Sequence, residues 1–583
     1  MILQALVRHY EDLTAQNLIA PPGWTQVKVS YAMELDEQGS LLRVASIQDS
    51  VVRGSKTVLA PRLVELPAPV KRTVGIAANF LCDNASYILG FDGKGNAERA
   101  RECFAACKAL HERLLCDVDT PAANALLAFF RCWSPEQAAE HPALQDEIGG
   151  IMAGANLIFR FHGSFIHEDP AIRRAWQTHY DGDGGDTTMV CLVTGRETAV
   201  EAVHPAIKGV QGAQSSGAAL VSFNAPSFCS YGKEQSLNAP TGKYAAFAYT
   251  SALNHLLADR EHLQRIGDTT VVCWAEGGEA AYQDVFASFM LGSQSSYTEK
   301  EMRDMVGNLL RGQPVTLDKT LLDPAKPFYV LGLAPNAARL SVRFFLRNSF
   351  GSLLENIQRH HQRLEIVKPA FDSFDTIPLW KLLGETVNQN ARDKSASPNM
   401  AGAVLRAILL DEPYPATLLH GALLRIRAEQ EVTRGRAAIL KAYYLKRLER
   451  SHSDIPKEVL TVSLNTDCTD IAYTLGRLFS TLEAIQTAAN PGINTTIKDR
   501  YFNGASATPA HIFPILLNLS QKHLRKLESG RRIYFEKQVA ELVSILPEGF
   551  PARLSLPQQG AFQIGYYHQT QKRYEKKEEK ENV

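Results

Sequence analysis

Ser230 and Lys233 form a pattern that could support a covalent nucleophile. They match S-x-x-K, in which a lysine one helical turn away activates the serine. Gly232 interrupts that turn, the accompanying S-D-N and K-T-G motifs do not occur, and Thr241-Gly-Lys243 has the wrong order. We therefore expect a binding element or a structural turn here and no enzyme, with a serine–lysine hydrolase as the alternative.

Motifs for metals and nucleotides are equally weak. The segment DGDGGD at 181–186 begins like a calcium loop, but the position that requires glutamate holds Leu192. The nine cysteines include no C-x-x-C pair, and Cys103 and Cys107, one helical turn apart, are expected to be core thiols. No H-E-x-x-H, P-loop or G-x-G-x-x-G motif occurs. We expect neither a metal nor a cofactor.

Polar side chains are concentrated in residues 227–243, here called the central loop, directly before a predicted helix. From Ala245 to Leu257 apolar residues follow i, i+3, i+4, i+7 spacing, which predicts a buried helix face. A nucleophile, a phosphate or a base edge would each suit a donor-rich loop on such a helix. A second set of donors lies among glycines at 208–217, here called the glycine-rich loop. It predicts either an anion cradle or a tight connection.

A basic segment precedes a predicted strand near the N-terminus. Residues 51–72 contain five basic residues and one acid, and the apparent strand TVGIAANFL follows. Two readings stay open: the asparagines at the end of that strand cap a turn, or they read base edges while the cations hold phosphates. The candidate residues, here called the N-terminal patch, are Lys71, Arg72, Asn79 and Asn84.

Basic residues also cluster near the C-terminus. Residues 491–540 hold eight basic groups against three acids. Lys522, Arg525 and Lys526 follow i, i+3, i+4 spacing, so they are predicted to share one helix face. That face is either solvated or follows a nucleic-acid backbone. The candidates, here called the C-terminal basic surface, are Lys498, Arg500, Lys522, Arg525, Lys526, Arg531 and Arg532.

The elements that must position these residues change in type along the chain. Up to about residue 390, short β-branched stretches such as TTVVCWA and PFYVLGL alternate with helical patterns, which predicts an α+β body with a mixed sheet. Residues 391–570 read as consecutive helices and predict an all-α bundle. Residues 571–583 form a charged tail without apolar periodicity.

Composition and charge exclude some classes of protein. The chain has 583 residues, 45% of them hydrophobic, with 62 basic and 62 acidic side chains. Zero net charge argues against a protein that grips nucleic acid by bulk charge alone, although local patches remain possible. The N-terminus carries Arg8, Glu11 and Asp12 too early for a signal peptide, and no apolar run is long enough for a membrane helix. We expect a cytoplasmic protein.

Four stretches resemble a known family. The segments CDNASYILG (82–90), HPAIKGVQGAQSSGAALVSFNAPSFCSYGKEQSLNAPTGKYAAFAYTSALNHLL (204–257), LAPNAARLSVRFFLRNSF (333–350) and GYYHQTQ (565–571) resemble the large subunit of the type I-C CRISPR Cascade complex. The long central segment is the most specific, and the likeness covers essentially the whole chain.

That resemblance implies a non-catalytic protein that recognises the duplex of the protospacer-adjacent motif (PAM), assists strand opening and stabilises the R-loop. It implies as partners the crRNA, target double-stranded DNA, the repeated backbone and crRNA-processing Cascade subunits, and a helicase–nuclease effector. Residues from about 460 to 583 resemble the small subunit, which in this subtype is made from an internal start of the same gene.

The resemblance also implies DNA contacts in both loops and the N-terminal patch, with glutamine and asparagine near bases and lysine near phosphates. A stand-alone single-stranded nucleic-acid-binding protein is the remaining alternative. The DNA-facing candidates of the two loops are Lys208, Gln211, Gln214, Lys233, Gln235, Asn238 and Lys243.

Overall fold

The chain forms two compact units. The structure is a computed structural model and describes residues 1–53, 56–70, 72, 75–92, 96–182, 187–291, 298–392, 394–452, 454–547 and 549–574. The first unit consists of Met1–Pro205 with Val221–Leu253, and the second of Ala206–Leu220 with Asn254–Val583. The boundaries predicted near residues 390 and 460 lie within the second unit and stay predictions.

The first unit combines short strands with amphipathic helices. Its helices are α1 (Ile2–Ala15), α2 (Ala85–Ile88), α3 (Ala97–Leu115), α4 (Pro121–Cys132), α5 (Ile148–Met152), α6 (Pro170–Gly182) and most of α7 (Lys243–Ala258). Its strands are β1 (Trp24–Val29), β2 (Tyr31–Leu35), β3 (Leu41–Ser46), β4 (Asp49–Arg53), β5 (Lys56–Ala60), β6 (Arg62–Pro67), β7 (Leu157–Phe161), β8 (Ser164–Phe165), β9 (Thr188–Val190) and β10 (Glu197–Ala199).

A mixed four-stranded sheet lies at the centre of the first unit. Its order is β3-β2-β7-β8, with β2 and β7 parallel and the outer pairs antiparallel. Met33 and Phe159 pack from this sheet into a core that also contains Phe129 and Phe130 of α4 and Cys107 of α3. Cys103 and Cys107 are both buried, as predicted for core thiols.

The strand predicted over TVGIAANFL does not form in the described residues 75–82. The backbone N–H of Asn79 donates to Oδ2 of Asp83 (3.1 Å), and that of Leu81 donates to Nε2 of His111 (3.0 Å). Leu81 also has a φ of +64°, outside the range of a strand. Side chains therefore take the donors that a sheet would have used, and the prediction was wrong here.

The second unit begins with a sheet and continues as helices. Its strands are β11 (Gln264–Ile266), β12 (Thr269–Ala275), β13 (Thr316–Leu317), β14 (Thr320–Leu321), β15 (Pro327–Asn336) and β16 (Arg339–Ser349). Its helices are α8 (Ala281–Leu291), α9 (Glu299–Leu310), α10 (Phe350–Leu364), α11 (Leu379–Gly384), α12 (Pro398–Leu409), α13 (Ala416–Glu429), α14 (Arg434–Glu449), α15 (Ile471–Ala489), α16 (Ile497–Ala507), α17 (Pro509–Leu524), α18 (Ser529–Ile545) and α19 (Leu556–Lys572).

The sheet of the second unit is antiparallel, in the order β11-β12-β15-β16. Gly332 of β15 pairs with Phe344, and Leu333 pairs with Val342. Arg343 is therefore an extra residue on β16, and the register shifts there at a β-bulge. Arg343 pairs with Asp268 at 2.7 Å. The bulge breaks the alternation that would have placed Arg339, Arg343 and Phe345 on one strand face.

Two helices of the C-terminal region cross at glycines. A Cβ added at Gly476 of α15 would lie 1.9 Å from the carbonyl oxygen of Phe562, and one added at Gly565 of α19 would lie 2.2 Å from that of Tyr473. The GYYHQTQ stretch therefore contributes to packing: the hydroxyl of Tyr566 donates to Oε2 of Glu483 at 2.7 Å inside this interface. Because glycine has no side chain, the backbones of α15 and α19 can touch at Gly476 and Gly565.

The observed architecture confirms the predicted fold class, an α+β body with mixed strands followed by a helical C-terminal region. Within the described ranges, no helix combines the length and the apolar character needed to span a membrane.

Candidate nucleic-acid interface

Helix α7 provides a buried support for the central loop. The residues predicted to form its buried stripe are all at most 4% exposed: Ala245, Ala248, Tyr249, Ala252, Leu253, Leu256 and Leu257. The hydroxyl of Tyr249 lies 2.6 Å from Nδ1 of His204, and burial lowers the pKa of that imidazole to about 4, so His204 is neutral. The periodicity prediction is confirmed, and the central loop leads directly into this buried helix.

Asn238 holds the central loop from within. Its Oδ1 accepts the backbone N–H of Ser230 (2.8 Å), and its Nδ2 donates to the carbonyl oxygens of Lys233 (3.0 Å) and Gln235 (2.9 Å). Both N–H groups of the amide are thus used inside the loop. The structure places Asn238 as a loop staple, whereas Lys233 and Gln235 have exposed side chains.

Ser230 and Lys233 lie on a turn and not on a helix. The backbone N–H of Lys233 donates to the carbonyl oxygen of Ser230 at 3.0 Å, and Gly232 between them has a φ of +69°. Both side chains are exposed. This geometry lacks the helical turn that a serine–lysine nucleophile requires.

Lys243 points into the first unit. Its Nζ donates to the carbonyl oxygen of Tyr180 at 2.7 Å and lies 4.1 Å from the centre of the Tyr180 ring. The ammonium group is therefore used locally at the first residue of α7. A phosphate contact by Lys243 stays a prediction, and it would compete with this hydrogen bond.

The glycine-rich loop belongs to the second unit and is anchored through its backbone. Its ends meet where Ile207 pairs with Ala218. The N–H of Lys208 donates to Oδ1 of Asn254 (2.8 Å), and the N–H of Gln211 donates to Oγ1 of the buried Thr270 (3.1 Å). These contacts leave exposed the side chains of Lys208, Gln211 and Gln214.

In the N-terminal patch, a buried carboxylate organises the neighbouring residues. Asp83 is 2% exposed, and both of its oxygens accept from the guanidinium of Arg72, one of them at 3.0 Å. Arg72 also donates to the carbonyl oxygen of Ala77 (2.6 Å) and lies over the ring of Tyr87 at 3.9 Å. Arg72 is thus held by three protein groups.

The two asparagines of the patch also have structural partners. Oδ1 of Asn84 accepts the N–H of Ser86 (3.1 Å) and caps α2, which is the capping alternative left open by the sequence. Oδ1 of Asn79 accepts the N–H of Val70 at 2.9 Å. The structure brings Arg72, Asn79 and Asn84 together around Asp83; Lys71 lies outside the described residues.

A cavity of about 410 Å³ lies beside Asn79. Its walls are mainly apolar, and Phe80 and Trp176 stack there with ring centres 5.6 Å apart. Besides the polar Asn79, the titratable side chains Arg113 and His179 line it. The side chain of Asn79 therefore lies next to an open space, with its amide nitrogen as the remaining donor.

The C-terminal basic surface is spread over three helices and the turn between α17 and α18. Helix α17 ends at Leu524, so Arg525 caps it and Lys526 lies in the following turn, where its Nζ donates to Oδ1 of Asn490 at 2.9 Å. The predicted shared helix face therefore does not extend past Lys522. Helix α18 is largely exposed, and its first turn presents Arg531 and Arg532 to solvent.

The motifs that suggested metals and other chemistry give no site in the described part of the chain. No cluster of three or more metal-ligating side chains occurs there. Residues 183–186 of the calcium-like segment lie outside the described residues. Oδ1 of Asp181, at the end of α6, accepts from Nε2 of Gln177 at 3.0 Å.

Sequence reasoning missed residues that fix the candidate site. Asp83 lies in the stretch CDNASYILG, shortly after the basic segment 51–72. An acid so close to several basic residues could have indicated an ion pair. Asn254 and Thr270 lie 46 and 59 residues from the backbone groups that they hold. No local pattern could have identified them.

A family model matches nearly the whole chain. The model of the family described as CRISPR-associated protein (Cas_Csd1) matches residues 6–574. Among curated proteins, no significant match is found. The matched range contains both loops, the N-terminal patch and the C-terminal basic surface.

Proposed function

The chain belongs to the Cas_Csd1 family of CRISPR-associated proteins, a family of Cascade large subunits, and from this we propose that it is the non-catalytic subunit of a type I-C complex that recognises the PAM duplex. It would then assist strand opening, stabilise the R-loop and support recruitment of the helicase–nuclease. Guide pairing would read the target sequence, so the protein would need to read only the PAM and the shape of the nucleic acid.

One observation carries this proposal: two loops keep their side-chain donors exposed while their backbones are anchored. Lys233 and Gln235 project from a loop held by Asn238, and Lys208 and Gln211 from a loop held by Asn254 and the buried Thr270. Amide side chains can read base edges and lysines can hold phosphates. Fixed backbones reduce the entropy lost when such contacts form.

The C-terminal basic surface supports the R-loop part of the proposal. Its exposed cations, Arg531 and Arg532 among them, can neutralise phosphates without reading sequence. A DNA strand or the crRNA–DNA heteroduplex would suit such a surface. Zero net charge for the whole chain fits a protein whose nucleic-acid binding is local and depends on partners.

The test uses the complex assembled with crRNA and its partner subunits. Gln235→Ala and Gln211→Ala should slow R-loop formation on PAM-bearing duplex, because exposed donors are removed without disturbing the anchored backbone. Loss of a base-reading contact should weaken PAM-dependent binding by about 1–3 kcal/mol, and PAM-less binding by less. Gln313→Ala, an exposed glutamine outside both loops, is the matched control.

A target with a pre-melted PAM-proximal segment separates the two roles. If strand opening is the affected step, pre-melting restores the rate for the Gln235 variant. Equal losses on PAM-bearing and PAM-less duplexes would contradict PAM recognition, and failure of the pre-melted target to rescue would contradict a role in opening.

The partners are tested by weighing every polypeptide of the purified complex and by extracting and sizing its RNA. We expect crRNA, the repeated backbone subunit, the crRNA-processing subunit and a product of about 120 residues that corresponds to the segment from about 460. A complex that contains the full-length chain alone from this gene would contradict the internal start. A serine-directed acylating probe on Ser230 and DNA binding without crRNA test the two alternative functions.

A further inference from the structure

The tip of the central loop exposes an aromatic ring almost completely. Tyr231 is 99% exposed and has a φ of +54°. A bulky residue rarely adopts this left-handed backbone conformation, and it persists where the surroundings enforce it. Gly232 and Gln235 also have positive φ values, so the chain turns sharply on both sides of the exposed lysine between them.

The conformation of this tip is enforced by Asn238. Its amide binds the residue before the tyrosine and two residues after it, Ser230 on one side and Lys233 and Gln235 on the other. Three hydrogen bonds from one side chain close the loop around Tyr231. The backbone that carries Tyr231 is thus fixed by one side chain, while the tyrosine ring itself stays in solvent.

We propose that Tyr231 is a stacking platform for an unpaired nucleobase and that Asn238 is its positioning residue. This inference rests on the proposed function and names the chemistry of the central loop. A phenol ring with both faces free can stack on any base, because every base has a π-face. The exposed ammonium of Lys233, two residues away, can hold a phosphate of the same strand.

The same contacts change the role predicted for Asn238. Its two N–H groups already donate within the loop, so Asn238 could donate to a base edge only by breaking the staple. Tyr231 instead offers an unoccupied surface. Recognition at the loop tip is therefore by stacking, which tolerates any sequence, and not by hydrogen bonds from Asn238.

The experiment uses the assembled complex and targets that carry 2-aminopurine, a base whose fluorescence is quenched by stacking. The fluorescent base is placed singly in the displaced strand, the target strand or the crRNA, which distinguishes the possible sources of the unpaired base. We expect one position to be quenched in the complex. Tyr231→Phe should retain the quenching, because the ring remains, whereas Tyr231→Leu should lose it and slow R-loop formation about tenfold.

Asn238→Asp tests the positioning role, because it keeps the size of the side chain and removes both N–H donors. It should lose the same quenching while the thermal unfolding midpoint and the subunit composition stay unchanged. Tyr574→Leu, which removes another exposed tyrosine, is the control and should have no effect.

Three results would overturn the inference. Quenching that survives Tyr231→Leu shows that another group stacks on the base. Quenching lost in Tyr231→Phe shows that the hydroxyl matters and not the ring. Quenching that is intact in Asn238→Asp removes the positioning role. Failure of the proposed function would look different from failure of this inference. In that case the complex would open no duplex even with wild-type Tyr231.

Discussion

The glycine crossing between α15 and α19 gives the sharpest prediction on stability. Alanine normally stabilises a helix interior relative to glycine by about 1 kcal/mol. At Gly476 the added Cβ would lie 1.9 Å from the carbonyl oxygen of Phe562, far closer than any real contact. That neighbour is backbone of the facing helix and cannot rotate away, so the helices must separate by about 1 Å.

The expected magnitude follows from these two opposing effects. Overpacking against backbone is at the upper end of the usual range, about 3 kcal/mol, and helix propensity returns about 1 kcal/mol. Gly476→Ala should therefore lower stability by about 2 kcal/mol. Gly565→Ala, whose Cβ would lie 2.2 Å from the carbonyl oxygen of Tyr473, should behave in the same way. The double variant should lose less than the sum, because one separation accommodates both methyl groups.

The matched control is Gly402→Ala in α12, where an added Cβ meets nothing within 4 Å. That variant should be stabilised by up to about 1 kcal/mol. Because a chain of two units need not unfold in one step, the assay is amide hydrogen exchange read separately for α12, α15 and α19, with thermal unfolding as a second measurement. A Gly476→Ala protein with unchanged or increased protection in α15 and α19 would refute the close-packing argument.

Other expected outcomes concern single side chains. Asn84→Ala should cost about 1 kcal/mol through loss of the α2 cap, whereas Asn84→Asp keeps the capping oxygen. A PAM-specific loss of DNA binding that both variants share would instead reveal base reading by the amide N–H groups. Hydrogen bonds to Asp259 and Asp284 raise the pKa of His262 to about 9, despite partial burial of the ring. The protonated His262 contributes stability that is fully present below pH about 6.5 and is lost as pH rises through about 9. The contribution amounts to at most about 3 kcal/mol. In His262→Gln, the free energy of unfolding measured in urea should therefore vary less with pH across that interval. Arg531→Glu with Arg532→Glu should weaken binding to PAM-bearing and PAM-less targets alike and reduce the salt slope by about 2; a loss confined to PAM-bearing DNA would contradict backbone contacts.

Local signals predicted several elements correctly. Apolar spacing identified α7 and its buried face. The β-branched stretches at β12 and β15 form the centre of the second sheet. These predictions depend on neighbours within a few residues, where side-chain periodicity and caps act directly on the backbone.

The helix-face prediction at Lys522 and the strand prediction over TVGIAANFL show where local signals stop. The helix-face prediction assumed that α17 continues past Leu524, where the helix in fact ends. The residue at which a helix ends is poorly determined by apolar spacing alone. The second assumed that backbone donors pair with a strand. His111, from α3, accepts one of those donors instead.

The sequence by itself determined the fold class, the family resemblance and which residue types could bind nucleic acid. Only the tertiary structure decided which of those side chains are free to do so. Arg72 is held by the buried Asp83, Lys243 by a carbonyl 63 residues away and Asn238 by its own loop, whereas Tyr231 is left in solvent. The physical reason is that a donor's availability depends on whether folding brings an acceptor to it, and residue type and spacing alone do not show whether that contact forms.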